Sequence, residues 1–425
     1  MSRNRKKLGA LFVALAVTAA VAGTATASHS GTPGVSKKQI VIGGTFPFTG
    51  PISLYETIPI AEAAYFQYVN AHGGVNGRKI KNIQLDDQYN PAETVPDVQK
   101  LVQQDHVFAI VGSLGTAPGL ATWGYLNQNK VPQVLLATGD AYWGNCVHHA
   151  CSGSTKPWTI GWQPDYPGEA RLYAKYILAH KPSAKIGVLY QNDAYGKNYF
   201  AGLKAGLGSH TSQIVDAEPY NYTDSAQVVG GHVAALAAHG ADTVVLFATP
   251  AAAIAALATE GALHYSPLTI LNGVSRDPIF MFSAIQHGAN LNGLISTEYL
   301  PSQLTQKSLP GIKLAKKIIY ATGSKDLETS FNEGDGNLIY GLATAYTFVD
   351  ALKHAGQNPT RASFMHAIRN LNETNNPFVL KGMVVKTSKQ RTFPMQQLIF
   401  EKWAGQTSKS LGMWKTFGKI IDSGH

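Results

Sequence analysis

The chain has 425 residues, a formal charge of +9, 44% hydrophobic residues and 14% charged ones. That apolar content supports a sizeable core and excludes a disordered chain, and the length allows two or three domains. The 42 Gly and 21 Pro fit the many turns of an α/β protein, while the scattered Lys and Arg, with no basic run interleaved with aromatics, argue against nucleic-acid binding.

The first residues read as a targeting segment. Arg3, Arg5, Lys6 and Lys7 form a basic start, residues 8–21 are apolar, and Ala25-Thr26-Ala27 precedes Ser28 as a small-x-small cleavage site. The apolar run is short for a membrane span. A signal peptide over 1–27 is therefore expected, with the protein exported to the periplasm or cell surface. Its removal takes away four positive charges and no negative ones, so +9 becomes +5. No later run is apolar enough to span a membrane, so the mature chain is expected to carry no transmembrane span.

The pattern then predicts a strand over 39–44, the turn FPFTGPISLYE, and a helix over 56–72 with Ala61, Ala64, Tyr65, Tyr68 and Val69 on one face. A strand over 80–86 and a helix over 91–105 follow. Residues 108–111 and 131–137 are short apolar runs without alternation, which suits parallel strands covered on both faces. Each ends in a polar turn, GSLGTAPG and Thr138-Gly139-Asp140, with a helix over 121–129 between them. Ligands gather at such carboxyl ends, where helix N-termini offer free N–H groups. After an irregular stretch, a helix spans 168–180 and the order restarts: strand 185–190, polar turn QNDAYGKN, helix 199–207, strand 215–220, helix 225–239, strand 243–247, helix 251–261 and strand 268–271, which ends in NGVSRD. A strand over 293–299 and helices over 309–322, 338–354 and 361–371 come next. Residues 382–385 and 395–403 resemble hairpin material. The reading is α/β, with two Rossmann-like lobes of similar size joined by more than one crossover.

Cys146 and Cys151, in CVHHAC, are the two cysteines. In an exported protein they are most simply one disulfide, which pins a local loop. The alternative is a metal site with His148 and His149, but adjacent side chains rarely converge on one ion. No other metal or cofactor motif is present, and neither are HExxH, GxSxG, a P-loop or a GxGxxG after a strand. Asp86 and Asp87 are adjacent on a strand and so point apart. What remains is a set of strand-end turns carrying hydroxyls and aromatics: Tyr55, Thr116, Thr138-Gly139, Tyr195, Thr249 and Asn272. Singly these are ordinary turn chemistry; together, at equivalent ends of two α/β units, they describe a cleft.

KIGVLYQNDAYGKNYFAGLKAGL resembles the second-lobe entrance of the branched-chain amino-acid-type (Leu/Ile/Val-binding-protein-like) substrate-binding proteins of ABC importers. FPFTGP, AHGGVNG, VGSLGTAPGLA, WQPDYPGEARLYAKYI and the helix 340–356 agree in order, over about 38–420. The resemblance implies the periplasmic binding protein type I fold, two lobes joined by three crossovers near 161–162, 297–299 and 376–378. Lobe I is then 36–161 plus 299–377, and lobe II is 162–298 plus 378–425. It implies that Thr116, with Ala117 beside it, binds a ligand carboxylate, that Ala137, Thr138 and Gly139 serve the amino and carboxylate groups, and that Tyr55 and Tyr195 cover the ligand. Two departures stand out. Asn272 occupies the place of the family's acidic residue, and Thr249 that of a tyrosine. An amide cannot neutralise an ammonium, so a carboxylate without an amine, an amide or an aromatic acid joins the amino acids as a candidate ligand. The expected role is capture of a small polar ligand and its delivery to an ABC transporter permease, by a monomer without cofactor or catalysis. The rivals are a ligand sensor of the same fold and an extracytoplasmic hydrolase.

Overall fold

A computed structural model describes residues 31–145 and 155–424. The leader 1–27 and the CVHHAC loop, with Cys146 and Cys151, lie outside them. The strands are β1 Gln39–Phe46, β2 Lys79–Asp86, β3 Ile110–Val111, β4 Gln133–Leu136, β5 Thr159–Gly161, β6 Ile186–Gln191, β7 Ile214–Tyr220, β8 Thr243–Phe247, β9 Leu268–Leu271, β10 Ile295–Glu298, β11 Asn372–Glu373, β12 Val385–Lys386, β13 Gln397–Thr407 and β14 Ser410–Asp422. The helices are α1 Thr57–Ala71, α2 Pro91–Gln103, α3 Thr116–Gln128, α4 Tyr142–Asn145, α5 Tyr166–His180, α6 Ala194–Leu207, α7 Ala226–Ala238, α8 Pro250–Ala262, α9 Pro278–Gln286, α10 Pro310–Tyr320, α11 Lys325–Glu333, α12 Gly336–His354 and α13 Arg361–Ile368.

Two sheets organise the chain. The first has the order β2-β1-β3-β4-β5 and is parallel throughout; the second has the order β14-β13-β10-β9-β8-β6-β7. Its β10-β9-β8-β6-β7 part is parallel, and β13 and β14 add an antiparallel edge. The expected α/β architecture of two lobes is therefore present. Strands such as β8, TVVLF, are buried along their whole length because helices cover both faces. The connecting segments are themselves stitched together: Met395 N–H donates to Trp162 O at 2.9 Å, and Leu380 N–H to Tyr299 O at 3.0 Å.

Three local readings change. Helix α6 begins at Ala194, not near 199, because Asp193 caps it by accepting from Gly196 N–H. Helix α3 likewise begins at Thr116, so the turn GSLGTAPG is partly its first turn. The C-terminal hairpin is β13 with β14, whereas Val385–Lys386 pairs with Asn372–Glu373. Strand β14 escaped notice because it is an edge strand, largely exposed and punctuated by Gly412 and Gly418, so it lacks the apolar run of a covered strand.

Candidate functional site

The carboxyl ends of both sheets open onto one cleft, whose empty space, mouth included, is about 920 Å³. Of the residues singled out from the sequence, Tyr55, Thr116, Ala137, Tyr195 and Thr249 line it. Thr138, Gly139 and Asn272 stand behind the wall, and Ala117 is outside the lining. The first three serve as supports. Thr138 shares a 2.7 Å hydroxyl–hydroxyl bond with Thr116 and accepts from Asp140 N–H at 3.1 Å. Gly139 accepts from Tyr166 N–H at 2.7 Å through its carbonyl, and a Cβ there would strike Pro164 O.

Asn272 differs most from expectation. It is fully buried, and the amide orientation that satisfies its surroundings has Nδ2 donating to Leu246 O (3.0 Å) and Ala248 O (3.1 Å), while Tyr195 Oη donates to Oδ1 at 2.5 Å. Its hydrogen bonds are thus spent on two strand-end carbonyls and on the ring that faces the cleft. Position 272 holds Tyr195 in place instead of presenting a group to the cleft.

Backbone geometry shapes the first-sheet side. Leu135, buried within β4, has φ +57°, and the β4–β5 register shifts between Val134 and Leu136. This bulge re-aims the chain just before Ala137, at a strained position for a branched residue. Gln88 and Tyr89 have φ +52° and +60° in the turn after β2. The Asp87 side chain steadies that turn, accepting from Tyr89 N–H and Thr94 Oγ1. Gly115, with φ +113°, precedes α3, and a Cβ on it would meet the Tyr89 ring. Tyr89 can therefore stand over the N-terminus of α3 only because position 115 is glycine.

The sequence reading missed much of the wall. Tyr89, Gln163, Tyr166, Tyr299, Tyr340 and Asn337 line the cleft, as do Arg276, Asp277 and Glu298. Hydroxyls and amides run along one side: Tyr340 Oη donates to Gln163 Oε1 (2.9 Å), and Gln163 Nε2 donates to Tyr166 Oη (3.4 Å). Tyr195 meets Tyr166 edge-on, with ring centroids 5.2 Å apart. Burial pushes the hydroxyls of Tyr195 and Tyr340 well above their usual range, so both stay protonated and able to donate. Thr249, on the lining, is anchored to the second sheet: its N–H donates to Tyr220 Oη at 2.8 Å, and its hydroxyl to Gln191 Oε1 at 3.2 Å. Tyr55 Oη donates to Val274 O at 3.0 Å, joining the turn after β1 to the turn after β9.

The charged corner is self-contained. Arg276 is in contact with both Glu298 and Glu401, and the Trp414 indole N–H donates to its carbonyl at 2.7 Å. Burial works against its charge, but these facing carboxylates hold the guanidinium protonated. Asp277 caps α9 by accepting from Ile279 N–H (3.1 Å) and also accepts from Asn337 N–H (3.1 Å) at the start of α12. Burial and the neighbouring Asp335 carboxylate raise its pKa well above the usual carboxylate range. Among the described residues lining the cleft there is no histidine or cysteine, and no group of His, Cys, Asp and Glu among the described residues has the makings of a metal site.

The profile of a family described as periplasmic binding protein matches residues 39–407. An amino acid binding protein of Pseudomonas aeruginosa is 33% identical over 180 residues, 40% of this chain and 43% of that relative. The Leu/Ile/Val-binding protein homolog 3 of Brucella melitensis is 25% identical over 171 residues, 40% and 44% of the two chains. These matches span less than half the length of the curated relatives. Among solved structures, a branched chain amino acid ABC transporter from Thermus thermophilus with bound valine superposes with a TM-score of 0.78 at 17% identity, covering 91% of this chain and 97% of that one. An R. palustris solute binding protein in complex with benzoate gives 0.70 at 15%, covering 90% and 98%. At such identities the likeness speaks for the fold. The family profile covers most of the chain, and with the fold it settles the matter: this chain belongs to the periplasmic binding protein family.

Proposed function

We propose that the chain is an exported solute-binding protein that holds one small polar ligand (an amino acid, amide or carboxylate) between two lobes and delivers it unchanged to an ABC importer. One observation carries the reading: strand-end turns of both sheets, together with the start of α12, line one shared cleft. Family membership supports it, as do the amino-acid-binding relatives and the neighbours with valine and benzoate bound. The lobes are residues 36–161 with 299–377, and 162–298 with 378–425. Thr116 and the free N–H groups at the start of α3 meet an acceptor on the ligand, Tyr55 and Tyr195 cover it, and Ala117, Thr138, Gly139 and Asn272 shape those contacts from behind. The leader is cleaved near Ala27–Ser28, Cys146 and Cys151 pair, and the mature chain acts as a monomer outside the cytoplasm. No helix among the described residues is long and apolar enough to cross a membrane.

The test is mass spectrometry of the secreted protein under native and denaturing conditions. A single small molecule released unchanged at one per chain, from a chain that starts near Ser28, is the expected result. A molecule converted on incubation, or none retained and none bound from a solute library, would sink the proposal.

A further inference from the structure

Two carboxyls from different parts of the fold meet at one end of the cleft. Asp277 lines it from the turn after β9, in the second sheet, and Asp335 stands just before α12, whose body packs against α1 beside the first sheet. Both are buried, at 7% and 1% exposure. One backbone donor serves the two of them: Asn337 N–H lies 3.1 Å from an oxygen of Asp277 and 3.1 Å from an oxygen of Asp335. A Cβ on Gly336 would crowd the same Asp277 oxygen at 2.8 Å, which shows how tightly the segments approach. Each acid also has donors from its own side. Ile279 N–H donates to Asp277 at 3.1 Å, and the Thr57 and Asn337 side chains serve Asp335. Of the charged groups facing the pair, Arg276 favours ionisation of Asp277, while Glu56 opposes that of Asp335. Arg276 is itself shared with Glu298 and Glu401, and the Tyr55 hydroxyl also lies close enough to feel Asp277.

Two carboxylates this close and withheld from water do not both stay ionised at mild pH; the pair keeps a proton. Burial is the main cause for each, and the Asp335 carboxylate adds to it for Asp277. Asp277 is raised well above the ordinary carboxylate range, and Asp335 is pushed up to about 6. If the walls part, Asn337 N–H and the Thr57 hydroxyl stay with Asp335, Ile279 N–H stays with Asp277, and water reaches both acids. Each then returns towards its ordinary value of 3.8. The sign follows from the linkage. A carboxyl whose pKa is higher in the closed arrangement favours closure below its open-state value, and that contribution is lost as pH rises through its closed-state value. Between those limits, closing takes up a proton.

We propose that Asp277 and Asp335 form a proton-operated latch across the cleft: the walls close with one proton shared by the pair, and rising pH opens them and releases the ligand. This adds regulation to the proposed function and rests on it for the movement of the lobes. Small-angle scattering from the unliganded secreted protein between pH 5 and pH 8.5 reads the latch without any ligand. The radius of gyration should grow with pH, as the ratio of closed to open protein falls by up to about tenfold for each pH unit. Asp335→Asn puts a neutral donor where the protonated acid stood, so it should be as compact at pH 8.5 as the wild type is at pH 5. Asp277→Asn should behave alike and keeps the test available if the first variant does not fold, which circular dichroism reports. A wild-type radius that does not change with pH, or a pH response that persists in either folded variant, overturns the inference. Both of those results leave the proposed function standing, because capture of a ligand does not require a titrating latch; that function fails separately, if no small molecule is retained or bound.

Discussion

At the scale of single residues, Thr116 and Asn272 illustrate two different ways of serving a cleft. Thr116 is 1% exposed and lies in the first turn of α3, with its hydroxyl against Thr138. Removing it should cost the ligand one bond. A hydrogen bond to a neutral acceptor contributes about 0.5–1.5 kcal/mol, and one to a charged group about 1.5–3 kcal/mol. Thr116→Ala should therefore weaken the co-purified ligand by roughly 2- to 12-fold if it presents a neutral acceptor here, and a larger loss would mark a charged group at this end. Asn272→Asp should act on the protein before it acts on any ligand. An ionised carboxylate cannot donate to Leu246 O and Ala248 O and would face both, leaving buried carbonyls unpaired at about 1–3 kcal/mol each. Its pKa is expected to rise in the folded state, so the variant's stability deficit should be smallest below the ordinary carboxylate pKa and grow as pH increases. Urea unfolding at pH 4 and pH 7 reads this; an equal deficit at both pH values, with Tyr195 fluorescence unchanged, would place Asn272 elsewhere in the energetics. Short turn residues such as Thr116 were legible from sequence because hydroxyls and glycines at strand ends have few other uses. Tyr340 and Asn337 were not, because they belong to a helix that starts at Gly336, far along the chain from Thr116, and only the crossovers bring its start to the cleft.

Elements follow the same division. The covered strands β6, β8 and β9 stand close to where continuous apolar runs place them, since burial on both faces leaves that signature. Helix starts were less legible, because a cap such as Asp193 is one polar residue among several in QNDAYGKN. The pairing of α1 with α12 contains a group that no pattern announces. Glu62 is 2% exposed, accepts from Thr344 Oγ1 at 3.1 Å, and burial pushes its pKa up to about 8. A carboxyl raised in the folded state gives stability that is fully present below its unfolded pKa, near 4.5, and is lost as pH rises towards 8. Glu62→Gln removes that titration while keeping an acceptor for Thr344. The variant should match the wild type within about 1 kcal/mol at pH 4.5 and exceed it by more than about 1 kcal/mol at pH 8, since a tenfold change in proton affinity on folding corresponds to about 1.4 kcal/mol. Parallel stability curves for the two proteins across this range would show that Glu62 is ionised in the fold.

For the molecule as a whole, polar and aromatic contacts join the elements of the first sheet to those of the second. Tyr55 Oη donates to Val274 O, Asn337 N–H donates to Asp277, Ala141 N–H donates to Asn198 Oδ1 at 3.2 Å, and Tyr89 meets Tyr222 edge-on with centroids 5.2 Å apart. Each spans the cleft, so each exists only when its walls are close. Hydrogen bonds of this kind contribute about 0.5–1.5 kcal/mol apiece, so losing any one of them should favour an open arrangement only modestly. A ligand that touches both walls then shifts the population towards closure. The radius of gyration in solution should fall on adding the co-purified ligand at saturation, and amide exchange should slow at Trp162, Tyr299 and Phe378, beside the proposed crossovers. Tyr55→Phe deletes one crossing bond without changing shape. It should leave the unliganded protein more open, weaken the co-purified ligand by roughly 2- to 12-fold through the lost closure energy, and leave the urea midpoint of the whole fold nearly unchanged. Scattering curves that superimpose with and without the co-purified ligand, while calorimetry shows it bound, would mean that the cleft is preformed and that these bonds fix a rigid shape.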